Sequence, residues 1–302
     1  YNWYDYSVFR FFNGEFQKQF KSPGRPLISQ EMSTGYPNAE TGHPTRSYQL
    51  IHQNPYSLIG YEAYDWGDPA SFLNTQSFIT GELAETLRRT NEQASGIMHF
   101  AYMTWFRQCY DHQNIQPYPT YYAMQRAMQP VLVSAELWGR NLYAGEKLHT
   151  RIYVVNDNEE GRDLKPTSLA WSIVDETNKV LASGTEQFPA VEYYGRKYIE
   201  PNIHMPSNLP ADKVNVKLKL TLTESGVTLS QNEYGLLVAR KEWNISQVTA
   251  SKKILLLDKD HMKATLDFLN IACQTVPSIK ELLNAKQKAN LCIISGLSLI
   301  HI

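Results

Sequence analysis

Between residues 131 and 241 the chain repeats one pattern seven times, in the runs 131–137, 147–156, 168–174, 180–188, 197–204, 214–223 and 235–241. Leu148, Thr150, Ile152 and Val154 alternate with polar neighbours, and so do Val214, Val216, Leu218, Leu220 and Leu222. A period of two places successive side chains on opposite faces, so each run gives a strand with one face for a core and one for solvent. Turn sequences such as Asn156-Asp157-Asn158-Glu159-Glu160-Gly161 and Pro210-Ala211-Asp212 separate the runs. Seven short alternating strands over about a hundred residues predict an all-β immunoglobulin-like sandwich, assigned to residues 130–245.

The chain before residue 130 has a different rhythm. Phe9, Phe12, Phe16 and Phe20 recur at helical spacing and predict a helix over 5–20, which Ser22-Pro23-Gly24-Arg25-Pro26 breaks. A short apolar strand, Leu27-Ile28-Ser29-Gln30, then runs into Glu31 and a polar loop. Residues 33–70 are loop-rich, with several Tyr, Trp and Pro; a connection of that length inside a compact domain is usually functional. Ile79, Leu83 and Leu87 mark an amphipathic helix, with Arg88 and Arg89 suiting its last turn. Ser95-Gly96 leads into a second buried strand over 97–103, and Pro119-Thr120 opens a helix over 121–128 that Pro130 ends. Helix, strand, helix, strand, helix is the order expected of the closing part of a (β/α)8 TIM barrel, assigned to residues 1–129. Catalytic groups of such barrels sit at the C-terminal ends of the strands, which makes Glu31 a candidate nucleophile or general acid/base.

After Trp243 the period changes again. Ile254-Leu255-Leu256-Leu257 is a buried-strand pattern, Met262, Leu266 and Leu269 mark a helix, Pro277 starts another, and 291–295 is a further strand. Residues 246–302 therefore read as a truncated α/β segment without a Gly-rich phosphate loop, and no nucleotide site is inferred. The string 297–302 reads like translated adapter DNA and is expected to be artefactual, and the chain opens on Tyr1 rather than Met, so the natural N-terminus is expected upstream.

Composition narrows the partners. A formal net charge of −1 gives no bulk electrostatic case for nucleic acid or an acidic membrane surface. No stretch is long and apolar enough to span a bilayer. Cys109, Cys273 and Cys292 lie too far apart for a metal site or a disulfide framework, and the histidines show no His-Glu-x-x-His pairing. No Gly-x-Ser-x-Gly elbow supports Ser/His/Asp hydrolysis. With 19 Tyr, 11 Phe and 6 Trp, the chain has many flat apolar faces, which suit sugar rings but also fill cores.

The ordered series of strand-Glu31, aromatic loop, helix ending in Arg88-Arg89, strand with Trp105, Tyr121-Tyr122-Ala123-Met124 and Gln129-Pro130-Val131-Leu132-Val133-Ser134 resembles glycoside hydrolase family 2 across residues 1–243. The resemblance implies a multidomain retaining exo-β-glycosidase that removes terminal residues from oligo- or polysaccharides. Leu27 to Gly35 is similar to the family's seventh barrel strand, whose terminal Glu is the nucleophile, here Glu31. Gly96 to Phe106 is similar to the eighth strand, which in the β-mannosidase and exo-glucosaminidase branch ends near a Trp, here Trp105. Met98-His99-Phe100-Ala101-Tyr102-Met103 departs from that branch's commoner Tyr-Trp-x-Leu-Asn form, so the sugar stays open. The acid/base, a Glu after an Asn at the end of the fourth strand, has no match and is expected upstream of Tyr1. Residues 246–302 are similar to accessory segments of some bacterial members. The resemblance also implies a periplasmic or secreted protein and no cofactor or metal; it leaves the oligomeric state open.

A retaining glycosidase needs a nucleophilic carboxylate and an acid/base about 5–5.5 Å apart. Glu31 takes the first role; the bland alternative is a solvated or salt-bridged strand-end Glu. Trp105 is the candidate platform for the sugar ring, or else a core Trp beneath the barrel rim. Trp66 and Tyr36 are further candidates that could equally pin the loop. His99 could hydrogen-bond a sugar hydroxyl or be a satisfied core histidine, and Asn38 could contact substrate or belong to a solvated loop. Two other classes of function are left open: a non-catalytic carbohydrate-binding protein with a degenerate barrel, and a purely structural role, against which the aromatic loop argues mildly.

Overall fold

The structure, a computed structural model, describes residues 27–32, 35–45, 69–90, 94–99, 101–244, 253–258, 262–285 and 289–295. The helix expected over 5–20 and most of the aromatic loop, Trp66 included, lie outside these residues. The chain forms two compact units, Tyr1–Pro206 with Asn215–Leu237, and Ser207–Val214 with Val238–Ile302.

In the first unit, strand β1 (Leu27–Met32) precedes helix α1 (Pro69–Thr90), strand β2 (Ala94–His99), the short strands β3 (Phe106–Arg107) and β4 (Gln116–Pro117), and helix α2 (Pro119–Ala127). β1 and β2 pair in parallel, with α1 between them in sequence. The described residues thus contain a two-stranded parallel sheet, and a closed barrel is not shown by them. The expected second strand is shorter than its apolar run: it stops at His99, and a 3₁₀ turn at Tyr102–Trp105 follows. Met98 and Tyr102 are 60% and 69% exposed, so an apolar run was no guide to burial here.

α1 was legible from Ile79, Leu83 and Leu87, which pack with Ala84 and with Met124 and Ala127 of α2. Its two terminal arginines do more than complement the helix dipole. Arg88 Nη1 donates to the carbonyls of Ala127 (2.6 Å) and Gln129 (2.8 Å), satisfying the free end of α2, and Nη2 pairs with Asp157 at 2.8 Å. Arg89 is buried and ion-paired with Glu85.

Residues 131–239 hold β5 (Val131–Glu136), β6 (Asn141–Tyr143), β7 (Arg151–Asn156), β8 (Thr167–Asp175), β9 (Val180–Phe188), β10 (Arg196–Ile199), β11 (Lys213–Glu224) and β12 (Val227–Ala239). They form a three-stranded sheet, β10-β7-β5, and a five-stranded sheet, β6-β12-β11-β8-β9. Where the sequence suggested seven strands there are eight: β6 was too short to show a period, and β12 begins eight residues before the expected start at 235. Ser225 and Gly226 both have positive φ (51° and 84°), the geometry of a two-residue turn between strands that follow the sheet twist. Gln129, β5 and β12 are tied by side chains: Val133 N–H donates to Ser230 Oγ, Ala135 N–H to Tyr234 Oη, both at 3.0 Å, and Gln231 N–H to Gln129 Oε1. The first two bonds satisfy backbone donors of β5, the outer strand of the three-stranded sheet, and the third satisfies one of β12.

In the second unit, β13 (Ile254–Leu257) is buried throughout and lies between β14 (Gln274–Thr275) and β15 (Leu291–Ile294), parallel to both. Helix α3 (Met262–Phe268) separates β13 from β14, and helix α4 (Ile279–Ala285) separates β14 from β15. Asp258 accepts from the backbone N–H groups of Met262 and Lys263 and from Ser295 Oγ, so this strand-end acid caps a helix. α4 is capped by Ser278, whose Oγ accepts from Glu281 N–H at 3.2 Å; Pro277 stands one residue before that cap rather than inside the helix.

Candidate functional site

The register of the parallel pair sets the site. Leu27 lies opposite Ala94 and Met32 opposite His99, so both strands end together, with Glu31 one residue before Met32. Of the predicted residues, Glu31 and His99 are thus brought to the same C-terminal edge.

Beyond β2 the chain turns back at Ala101, whose carbonyl accepts from Thr104 N–H (2.9 Å) and Thr104 Oγ1 (2.8 Å). The turn carries Trp105 onto His99, where Nε1–H donates to Nδ1 at 2.7 Å with ring centroids 5.2 Å apart. The indole also packs against the Ile79, Leu83, Leu87 and Met124 cluster. Trp105 is therefore a partly buried ring anchored on the helical core, with its N–H engaged.

His99 is correspondingly defined. Burial pushes its pKa down to about 3, so the ring is neutral at ordinary pH. Nδ1 accepts, which puts the single proton on Nε2. Nε2 is buried and has no hydrogen-bond partner among the described residues. The ring is thus a fixed donor, suited to an oxygen of a hydroxyl or a carboxylate.

Residues 35–45 form a tight hairpin. Pro37 bridges Pro44, Asn38 N–H donates to His43 O at 2.7 Å, and Thr45 N–H to Tyr36 O at 3.0 Å. Asn38 Oδ1 accepts from the N–H groups of Glu40 and Thr41, an Asx turn, so its carbonyl builds the loop. Gly42 is required at the tip: its φ is +79°, and a Cβ there would lie 3.0 Å from Leu73 Cδ1. Tyr36 is half-buried at the base of this hairpin. Gln76, fully buried on α1, donates to Gly35 O (2.7 Å) and accepts from Thr120 Oγ1 (3.0 Å), and Arg107 Nε donates to Glu40 O. The sequence reading missed Gln76 and Arg107; a Gln on the apolar face of an otherwise amphipathic helix was the available signal.

It also missed a buried polar network under α1. Glu85 accepts from Arg89 Nη1, Ser134 Oγ (2.5 Å), Tyr234 Oη (2.7 Å) and Asn232 Nδ2 (2.9 Å). One turn away, Glu82 pairs with Arg140, whose guanidinium also lies over the Phe78 and Tyr234 rings. Burial raises the Glu82 pKa, with Arg140 opposing, and burial beside Glu85 holds the Tyr234 phenol well above its usual value. All of this positions the helix rather than a substrate. Among the described residues, no group of His, Cys, Asp and Glu could hold a metal ion, and no helix is long and apolar enough to cross a membrane.

No family model matches the chain, and no curated protein matches it. Among solved structures, it is similar to the β-D-mannosidase from Dictyoglomus thermophilum at 15% identity and a TM-score of 0.49, over 78% of this chain and 29% of that one. It is similar to the exo-chitosanase CsxA from Amycolatopsis orientalis at 14% identity and a TM-score of 0.37, over 56% and 20%. A β-glucuronidase from glycoside hydrolase family 2 gives 15% identity and a TM-score of 0.27, over 36% and 11%. The chain spans less than a third of the length of each of these proteins.

Proposed function

We propose that the chain is part of a retaining exo-β-glycosidase acting on terminal sugars of oligo- or polysaccharides, with Glu31 as its nucleophile. The observation that carries this reading is the parallel register that ends β1 and β2 together, with Met32 opposite His99. Strand C-termini of parallel α/β folds are where reacting groups collect. His99, held in one tautomer by Trp105, supplies a neutral donor at that edge. In this reading residues 1–129 are the end of a TIM barrel, 130–245 an immunoglobulin-like sandwich and 246–302 an accessory α/β segment.

The chemistry is double displacement. The Glu31 carboxylate attacks the anomeric carbon while a second carboxyl, about 5–5.5 Å away, protonates the leaving oxygen; that group then takes a proton from the water that cleaves the glycosyl-enzyme. No residue of this sequence matches the family's acid/base, so the 302 residues alone are proposed to be inactive. His99 is the proposed donor to a sugar hydroxyl or to the nucleophile, and Trp105 orients it. Trp66, Tyr36 and Asn38 are the remaining proposed sugar contacts.

The test is trapping in the complete protein with 2-deoxy-2-fluoro glycosides of mannose, glucose, galactose and glucuronic acid, followed by peptide mapping. A covalent adduct on Glu31 supports the reading. Reversible binding without an adduct supports a degenerate, purely carbohydrate-binding barrel instead. An adduct on any other carboxylate overturns the assignment of Glu31.

A further inference from the structure

The sandwich carries a cavity of about 420 Å³ that the Glu31 reading does not use, lined in part by Glu136, Trp138, Lys147, His149, Arg151 and Glu200. Trp138 follows β5 and is 59% exposed, although a large aromatic ring normally gains by burial. Its ring is nonetheless fixed, because Nε1–H donates to Glu136 Oε1 at 2.6 Å. Arg151 is held as well: its guanidinium lies over the Tyr198 ring at 5.0 Å, and Nε donates to Glu200 Oε1 at 3.2 Å. The Glu136 backbone is tied to the cavity wall through Thr150 Oγ1 at 3.0 Å.

The chemistry of the lining selects a ligand class. Two carboxylates, Glu136 and Glu200, stand with two cations, Lys147 and Arg151, so formal charge on the lining cancels. A charged ligand gains little from such a wall, whereas vicinal hydroxyls can donate to the carboxylates and accept from the cations. An oriented indole face adds a surface for the apolar side of a pyranose ring. The volume falls within the usual range for small-ligand sites, about 300–1,000 Å³. We propose that this groove is a binding site for neutral oligosaccharides, separate from the Glu31 edge and independent of whether Glu31 is catalytic.

Calorimetric titration of the full chain with cellohexaose, mannohexaose, xylohexaose and chitohexaose, and with hexagalacturonate as the charged control, tests this. At least one neutral probe is expected to bind saturably at 1:1. Trp138→Ala should weaken it at least tenfold, Trp138→Phe less, and Tyr110→Ala, an exposed aromatic outside the groove, not at all. Since Trp138 is an exposed side chain, circular dichroism and Tm should match between wild type and variants. The proposal is overturned if none of the four neutral probes binds, if hexagalacturonate binds tighter than all of them, or if Trp138→Ala leaves binding unchanged.

Discussion

The indole of Trp105 donates to Nδ1 of His99 at 2.7 Å, and this bond dictates which nitrogen of the histidine carries the proton. Two residues six apart, on a strand end and the 3₁₀ turn after it, thus act as one unit. In ¹⁵N-histidine spectra, His99 is expected as a pure Nε2–H tautomer from pH 5 to 8. Trp105→Phe removes the donor and should release the tautomer to a mixture, while Trp105→His or a second donor at this position should partly restore it.

The same histidine makes stability pH-dependent in a stated direction. Its folded pKa of about 3 lies below the unfolded value of 6.5, so the unfolded chain binds more protons between those values. Its contribution is fully present above pH 6.5 and is lost as pH falls toward 3, with a slope of up to about 1.4 kcal/mol per pH unit. Glu82, whose pKa burial raises, acts oppositely, its contribution being lost as pH rises. Comparing urea midpoints of wild type and His99→Gln between pH 4 and 7 isolates the first effect: the variant should show the flatter profile.

Glu85 holds four donors in a buried network, so removing it strands the Arg89 guanidinium. Glu85→Ala is expected to destabilise by about 3–5 kcal/mol. Pairing Glu85→Met with Arg89→Met removes both charges and should cost clearly less than the sum of the single variants. Urea denaturation of the four proteins gives the coupling energy directly.

This network also explains what the sequence concealed. β11 was legible because its inward positions, Val216, Leu218, Leu220 and Leu222, are all buried and apolar. The first half of β12 was not, because Ser230 and Asn232 hold its buried positions, where they bond the Val133 backbone and Glu85. α1 was found from its three apolar residues, yet Gln76, Glu82, Glu85 and Arg89 on the same helix are buried too, each paired with a segment far away in sequence. Of the candidate site, Glu31 was named from an expected strand end, whereas His99 was expected inside a strand over 97–103 that in the structure ends at His99 itself. The role of Trp105 could not be read, because it depends on a turn at Ala101 inside what looked like a continuous apolar strand. Asn38 was named for its polarity, and its carbonyl proves to build an Asx turn.

Trp171 and Gly184 face each other across β8 and β9, and a Cβ at Gly184 would fall 2.6 Å from Trp171 Cζ2. The glycine makes room for the indole, so Gly184→Ala should destabilise by about 1–3 kcal/mol through overpacking. Gly184→Ala combined with Trp171→Phe should recover part of the loss, as read by thermal unfolding.

The central claim, that Glu31 attacks the sugar, is tested most directly by Glu31→Gly in the complete protein, assayed on an activated aryl β-glycoside with and without azide. The account predicts at least about a thousandfold loss of hydrolysis, with azide restoring turnover and forming the α-glycosyl azide, since the anion then occupies the place of the missing carboxylate. Hydrolysis near the wild-type rate without azide would contradict it.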